Sequence, residues 1–117
     1  MFGSPAISAD AITYILSPEL HVLYALSSDG TEKWHASLDI FTAADSPALG
    51  ADGTVYISAG PVYAFSRTGS TLWTANVPAF PGSPAIGKDG TIYVESYYQG
   101  PAFSGYGLGL YAIAPNG

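Results

Sequence analysis

Apolar and polar residues alternate along this chain in short bursts. Thr54-Val55-Tyr56-Ile57, Val62-Tyr63-Ala64-Phe65 and Thr91-Ile92-Tyr93-Val94 are rich in β-branched and aromatic residues, which fit a pleated, half-buried surface. None of these bursts is long enough for a stable helix, and Gly or Pro breaks the chain about every ten residues. Asp52-Gly53 and Asp89-Gly90 precede two of the bursts. Asp-Gly is a strong hairpin signal, because the tight turn needs a positive φ and Gly supplies it without steric cost. The pattern predicts an all-β chain of short antiparallel strands.

The bursts repeat. Ser4-Pro5-Ala6-Ile7 returns as Ser46-Pro47-Ala48-Leu49 and Ser83-Pro84-Ala85-Ile86. Asp52-Gly53-Thr54-Val55-Tyr56-Ile57 returns as Asp89-Gly90-Thr91-Ile92-Tyr93-Val94, and its first copy, Asp10-Ala11-Ile12-Thr13-Tyr14-Ile15, has lost its glycine. A third block is Leu23-Tyr24-Ala25-Leu26, Val62-Tyr63-Ala64-Phe65 and Leu110-Tyr111-Ala112-Ile113. A fourth is Thr31-Glu32-Lys33-Trp34 and Ser70-Thr71-Leu72-Trp73. A period of about 40 residues built from strand-like blocks points to β-propeller blades of four antiparallel strands. The expected units are 4–38, 46–77 and 83–117, two complete blades and a three-stranded third. Asn116-Gly117 align with Asp29-Gly30 and Thr68-Gly69, the turns before a fourth strand.

The run Ser-Pro-Ala-Ile-Gly-x-Asp-Gly-Thr-Ile-Tyr-Val, with Leu-Tyr-Ala-Leu and Asp-Gly-Thr-x-x-Trp, resembles the PQQ-like (quinoprotein alcohol dehydrogenase-like) repeat over nearly the whole chain. The resemblance implies that Trp34 and Trp73 dock between neighbouring blades, with Ala25 and Ala64 in the matching places. Ser27 and Ser66 stand where that family's motif carries Asp. Family rings often have eight blades, so three units imply either assembly of copies, as a homo-oligomer, or the remainder of a larger propeller. Two copies would make a six-bladed ring.

Composition narrows the chemistry. Hydrophobic residues make up 48% of the 117 and charged residues 10%, which fits a packed core rather than a disordered chain. The net charge is −6 with only three basic side chains, so phosphate neutralisation, and with it nucleic-acid binding, is not expected. No apolar run is long enough to cross a bilayer as a helix, so no membrane insertion is expected. Met1-Phe2-Gly3-Ser4-Pro5 carries no signal-peptide features, although the family resemblance implies an extracytoplasmic place, periplasmic or secreted. The absence of Cys excludes disulfides and thiolate chemistry.

Turns joining first to second and third to fourth strands lie on one face of such a meander. The other loops lie on the opposite face and hold the length variation. Binding groups concentrate on variable loops carried by a rigid scaffold, so the candidate site is the loop 95–109, with Tyr97, Tyr98, Gln99, Phe103 and Tyr106. These rings suit a glycan or a protein partner, or else they cover the open end of the array. Gly53 and Gly90 are expected at positive φ, and Trp34 and Trp73 largely buried.

Other constellations read as structural. His21 and His35 lack metal-ligand spacing, and no metal is expected. Asp39 and Asp45 flank a loop and read as solvated. Asp52-x-Thr54 and Asp89-x-Thr91 are turns rather than calcium loops. Ser4, Ser46 and Ser83 recur with the repeat, as structural residues do, and Gly105-x-Gly107-x-Gly109 has no following helix to make a phosphate loop. Quinoprotein dehydrogenases sharing the repeat use calcium, acidic ligands, an Asp base and often a vicinal disulfide. Their cofactor set is not expected here, and the family's non-catalytic scaffold propellers are the closer implication. The expected function is a non-enzymatic scaffold or interaction module. The alternatives are a carbohydrate-binding propeller that uses the Tyr-rich loop and a non-catalytic piece of a quinone-dependent dehydrogenase.

Overall fold

The computed structural model describes residues 4–17, 19–39, 46–76, 83–98 and 107–117, with 96–98, 107 and 108 in backbone only. Its strands are β1 (Ala6–Ile7), β2 (Thr13–Ser17), β3 (Val22–Leu26), β4 (Glu32–Ser37), β5 (Ala48–Leu49), β6 (Val55–Ser58), β7 (Pro61–Phe65), β8 (Thr71–Asn76), β9 (Ala85–Ile86), β10 (Ile92–Tyr98) and β11 (Gly107–Ile113). They form three antiparallel meanders, ordered β1-β2-β3-β4, β5-β6-β7-β8 and β9-β10-β11. Each sheet is one copy of the sequence repeat, and no helix occurs among the described residues.

The turns are built alike. In the second sheet the Gly50 amide donates to the Thr54 carbonyl at 2.8 Å and the Gly53 amide to the Gly50 carbonyl at 3.1 Å. The third sheet repeats this with Gly87, Thr91 and Gly90 at 2.8 and 3.0 Å. The Thr54 and Thr91 amides donate to Asp52 and Asp89 at 3.0 Å, the local side-chain bond that suits Asp to turns. Gly53 and Gly90 both have φ of 87°, as the Asp-Gly pattern predicts. The first sheet keeps the same turn without glycine: Ser8 and Ala11 make the equivalent bonds at 2.9 and 3.0 Å, with Ala11 at φ 64°.

The three sheets pack face to face, and burial follows the period of two. β2 buries Tyr14 and Leu16 and leaves its alternate residues less covered. β6, in the central sheet, buries all four of its residues because both of its faces are packed. One core layer joins Tyr14, Leu23 and Ala25 of the first sheet to Val55, Ile57 and Phe65 of the second. The other joins Tyr56, Val62 and Ala64 of the second to Ile92 and Val94 of the third. Each fully buried aliphatic side chain of this kind contributes about 1.5–3 kcal/mol. β4 and β8 lie on the edges of their sheets and are mostly exposed. The two-residue first strands approach one another: β5 contacts β9, and the Ser4 amide donates to the Ser46 hydroxyl at 2.6 Å.

Candidate functional site

The Tyr-rich segment differs from its sequence expectation. β10 and β11 pair as far as Tyr97 with Leu108 and Tyr98 with Gly107, so 95–98 and 107–109 are strand rather than loop. Tyr and Ser-Tyr-Tyr runs favour extended backbone, and the hairpin therefore closes later than the repeat spacing suggests. The backbones of Tyr97 and Tyr98 lie at its tip, whereas Gln99, Phe103 and Tyr106 lie outside the described residues.

The chemistry the structure does place sits between sheets. Trp34, on β4, crosses to the second sheet: its indole N–H donates to the Arg67 carbonyl at 2.8 Å, and its ring lies against Gly69. A Cβ added at Gly69 would stand 2.8 Å from that ring, so only glycine admits this approach. Trp73, on β8, repeats the contact on the third sheet. It donates to the Pro115 carbonyl at 3.0 Å, and a Cβ added at Gly117 would stand 3.2 Å from its ring. Each indole also meets a tyrosine of its own sheet, Tyr14 at 5.8 Å and Tyr56 at 5.9 Å between ring centroids. Both tryptophans are of intermediate burial and pack against the two core layers, in keeping with the expectation that they are largely buried.

A shallow cleft opens beside this contact, lined by Ser8, Asp10, Tyr14, Asp52 and Arg67. Arg67 reaches across from the second sheet to Asp10 of the first at 2.6 Å. The Asp10 carboxylate also accepts from the Ser8 hydroxyl. The Ser8 bond, then Arg67, hold its pKa below the ordinary carboxylate value. Burial, with the nearby Asp10 charge, pushes the Tyr14 hydroxyl up. Asp10 and Arg67 are exposed and already paired, an arrangement that ties two turns together.

The remaining candidates are dispersed. His35 Nδ1 lies 2.6 Å from Glu32 on the outer edge of the first sheet, and His21 is an exposed turn residue at φ 55° whose carbonyl accepts from the Leu38 amide at 2.8 Å. The Asp39 carbonyl faces the Tyr63 hydroxyl at 3.3 Å, and Asp45 lies outside the described residues. Among the described residues no group of three His, Cys, Asp or Glu could hold a metal, and no helix is long and apolar enough to cross a membrane. Sequence reasoning missed Arg67, Gly69, Pro115 and Gly117 as the tryptophans' partners. Only the glycines carried a signal: Gly69 and Gly117 hold the same place in the repeat.

No protein-family model and no curated protein matches the sequence. Among solved structures the chain is similar to a protein of unknown function from Bacteroides caccae, with 13% identity and a TM-score of 0.60 over 82% of this chain. The similarity shows the fold alone, and the chain spans 38% of that neighbour's length.

Proposed function

We propose that the chain is a run of β-propeller blades of the PQQ-like kind and works as a non-enzymatic scaffold, its open faces filled by copies of itself or by the rest of a larger ring. The observation that carries this reading is the indole handed from one sheet to the next. Trp34 and Trp73 make the same bond to the same turn in successive sheets, and the short first strands converge on one side. Repeated sheets stacked face to face around converging inner strands are the arrangement of propeller blades. The repeated polar groups support a structural role, since Ser27, Asp29, Asp52 and Asp89 are engaged in turn hydrogen bonds.

Small-angle X-ray scattering tests the shape. A closed ring has two equal long dimensions, whereas the chain alone measures 51 × 33 × 20 Å. Scattering that fits the single flat body would overturn the ring. Pyrroloquinoline quinone added with calcium should keep the absorbance of the free cofactor. A shifted spectrum that saturates would instead favour a quinone-dependent piece.

A further inference from the structure

Each contact between sheets joins two unlike faces. The rear of one sheet, carrying Tyr14, Leu23 and Ala25 in the first and Tyr56, Val62 and Ala64 in the second, meets the front of the next. The front of the second sheet carries Leu49, Ile57 and Phe65, and the third carries Ile86 and Val94 in the same places. Two such faces remain uncovered among the described residues. The first sheet's front presents Ile7 and Ile15, 68% and 37% exposed, where Ile57 of the second sheet is 1% exposed. The third sheet's rear presents Tyr93 and Leu110, 38% and 69% exposed, where Tyr56 and Val62 are 4% and 0%.

The turn contacts give the same result from separate atoms. Gly69 and Gly117 each lie under a tryptophan of the preceding sheet, whereas Gly30, at the matching place in the first sheet, has nothing within 4 Å of an added Cβ. Among the described residues the first sheet therefore has a front seat with no rear face on it, and the third has a rear face with no front beyond it. The two are complementary by register, since the chain already joins their counterparts twice.

We propose that a second copy of this chain seats the rear of its third sheet, around Tyr93 and Leu110, on the front of the first sheet, around Ile7 and Ile15. The inference rests on the scaffold reading and specifies its contact: heterologous and head-to-tail, not the same patch against itself. Such contacts close into rings when the rotation per copy allows. Continuity with the two internal layers is what selects a second copy as the occupant. The external layer is the weaker one, because Glu95 stands on β10 where Leu16 and Ser58 stand in the other two sheets. The third sheet also has three strands to the others' four, and so brings no tryptophan to the Gly30 seat.

The test uses two variants, Leu110→Arg to block the rear and Ile7→Arg to block the front. Both side chains are about two-thirds exposed, so each variant should keep the parent's melting behaviour at low concentration, where the parent too is a single chain. At high protein concentration, each alone is expected to run at the mass of one chain in light scattering. Mixed one to one, they should give two-chain particles, because the intact front of one meets the intact rear of the other. Glu95→Leu in the unmutated background should lower the midpoint concentration for association about tenfold. If the unmutated chain associates but the mixture does not, the head-to-tail contact is wrong and the scaffold reading stands. If the unmutated chain itself stays at one chain's mass, self-assembly and this contact fall together, which leaves a different partner for these faces.

Discussion

Ala11 occupies a conformation that its side chain disfavours. Its φ of 64° lies in the left-handed region, where a Cβ costs roughly 1–2 kcal/mol. The turn is held there by the same bonds that glycine makes at Gly53 and Gly90. Ala11→Gly should relieve that strain, offset in part by the greater freedom of glycine in the unfolded chain. The expected result is a gain of about 1 kcal/mol in urea unfolding, and a loss would show that Ala11 makes a packing contact worth more than its strain. The turn aspartates set the acid limit of the fold. Asp29 is lowered from 3.8 to about 2 by the Ser27 hydroxyl and then by Thr31, and Asp10, Asp52 and Asp89 are lowered as well. A depressed folded pKa means the unfolded chain takes up protons first as pH falls. Stability should therefore be level above pH 4 and decline from there toward pH 2. Asp29→Asn should flatten that decline, as circular dichroism across pH would read.

At the scale of elements, the strands and most turns were legible in the sequence because the cause of each is local. Val55-Tyr56-Ile57 and Ile92-Tyr93-Val94 are strand formers with an Asp-Gly turn before them, and the structure places β6 and β10 there. The first turn was less legible, since its conformation comes from its backbone bonds and its paired strands rather than from the residue at Ala11. The tip of β10 was hidden for a similar reason: Tyr97 and Tyr98 gain cross-strand partners that a loop reading could not supply. The tryptophan contact was half legible. Spacing located Trp34 and Trp73, but their partner atoms are backbone carbonyls, Arg67 and Pro115, and a carbonyl carries no sequence signal. Their intermediate burial follows from their place on the fourth, edge strand of each meander. Trp73→Ala should thus cost about 2 kcal/mol, below the 3–5 kcal/mol of a fully buried aromatic. Trp73→Phe should recover the packing and lose only the bond to Pro115, about 1 kcal/mol. No loss for Trp73→Phe in urea unfolding would show that the hydrogen bond is not what the indole contributes.

The described residues form a stack of three similar sheets with two core layers inside and one unlike face open at each end. Exposed apolar faces and strand edges of this kind are filled in stable proteins, by further repeats or by partner chains. β11 ends the third sheet's strand order, where β4 and β8 cover the same edge in the other two. The proposed assembly of copies would cover the faces with contacts the chain already makes internally, and it needs no new chemistry. Sedimentation equilibrium of the unmutated chain at micromolar concentration tests this most directly. The account predicts one discrete species at twice the mass of the chain, two sets of three sheets closed into a ring, and a soluble species at the mass of a single chain would contradict it.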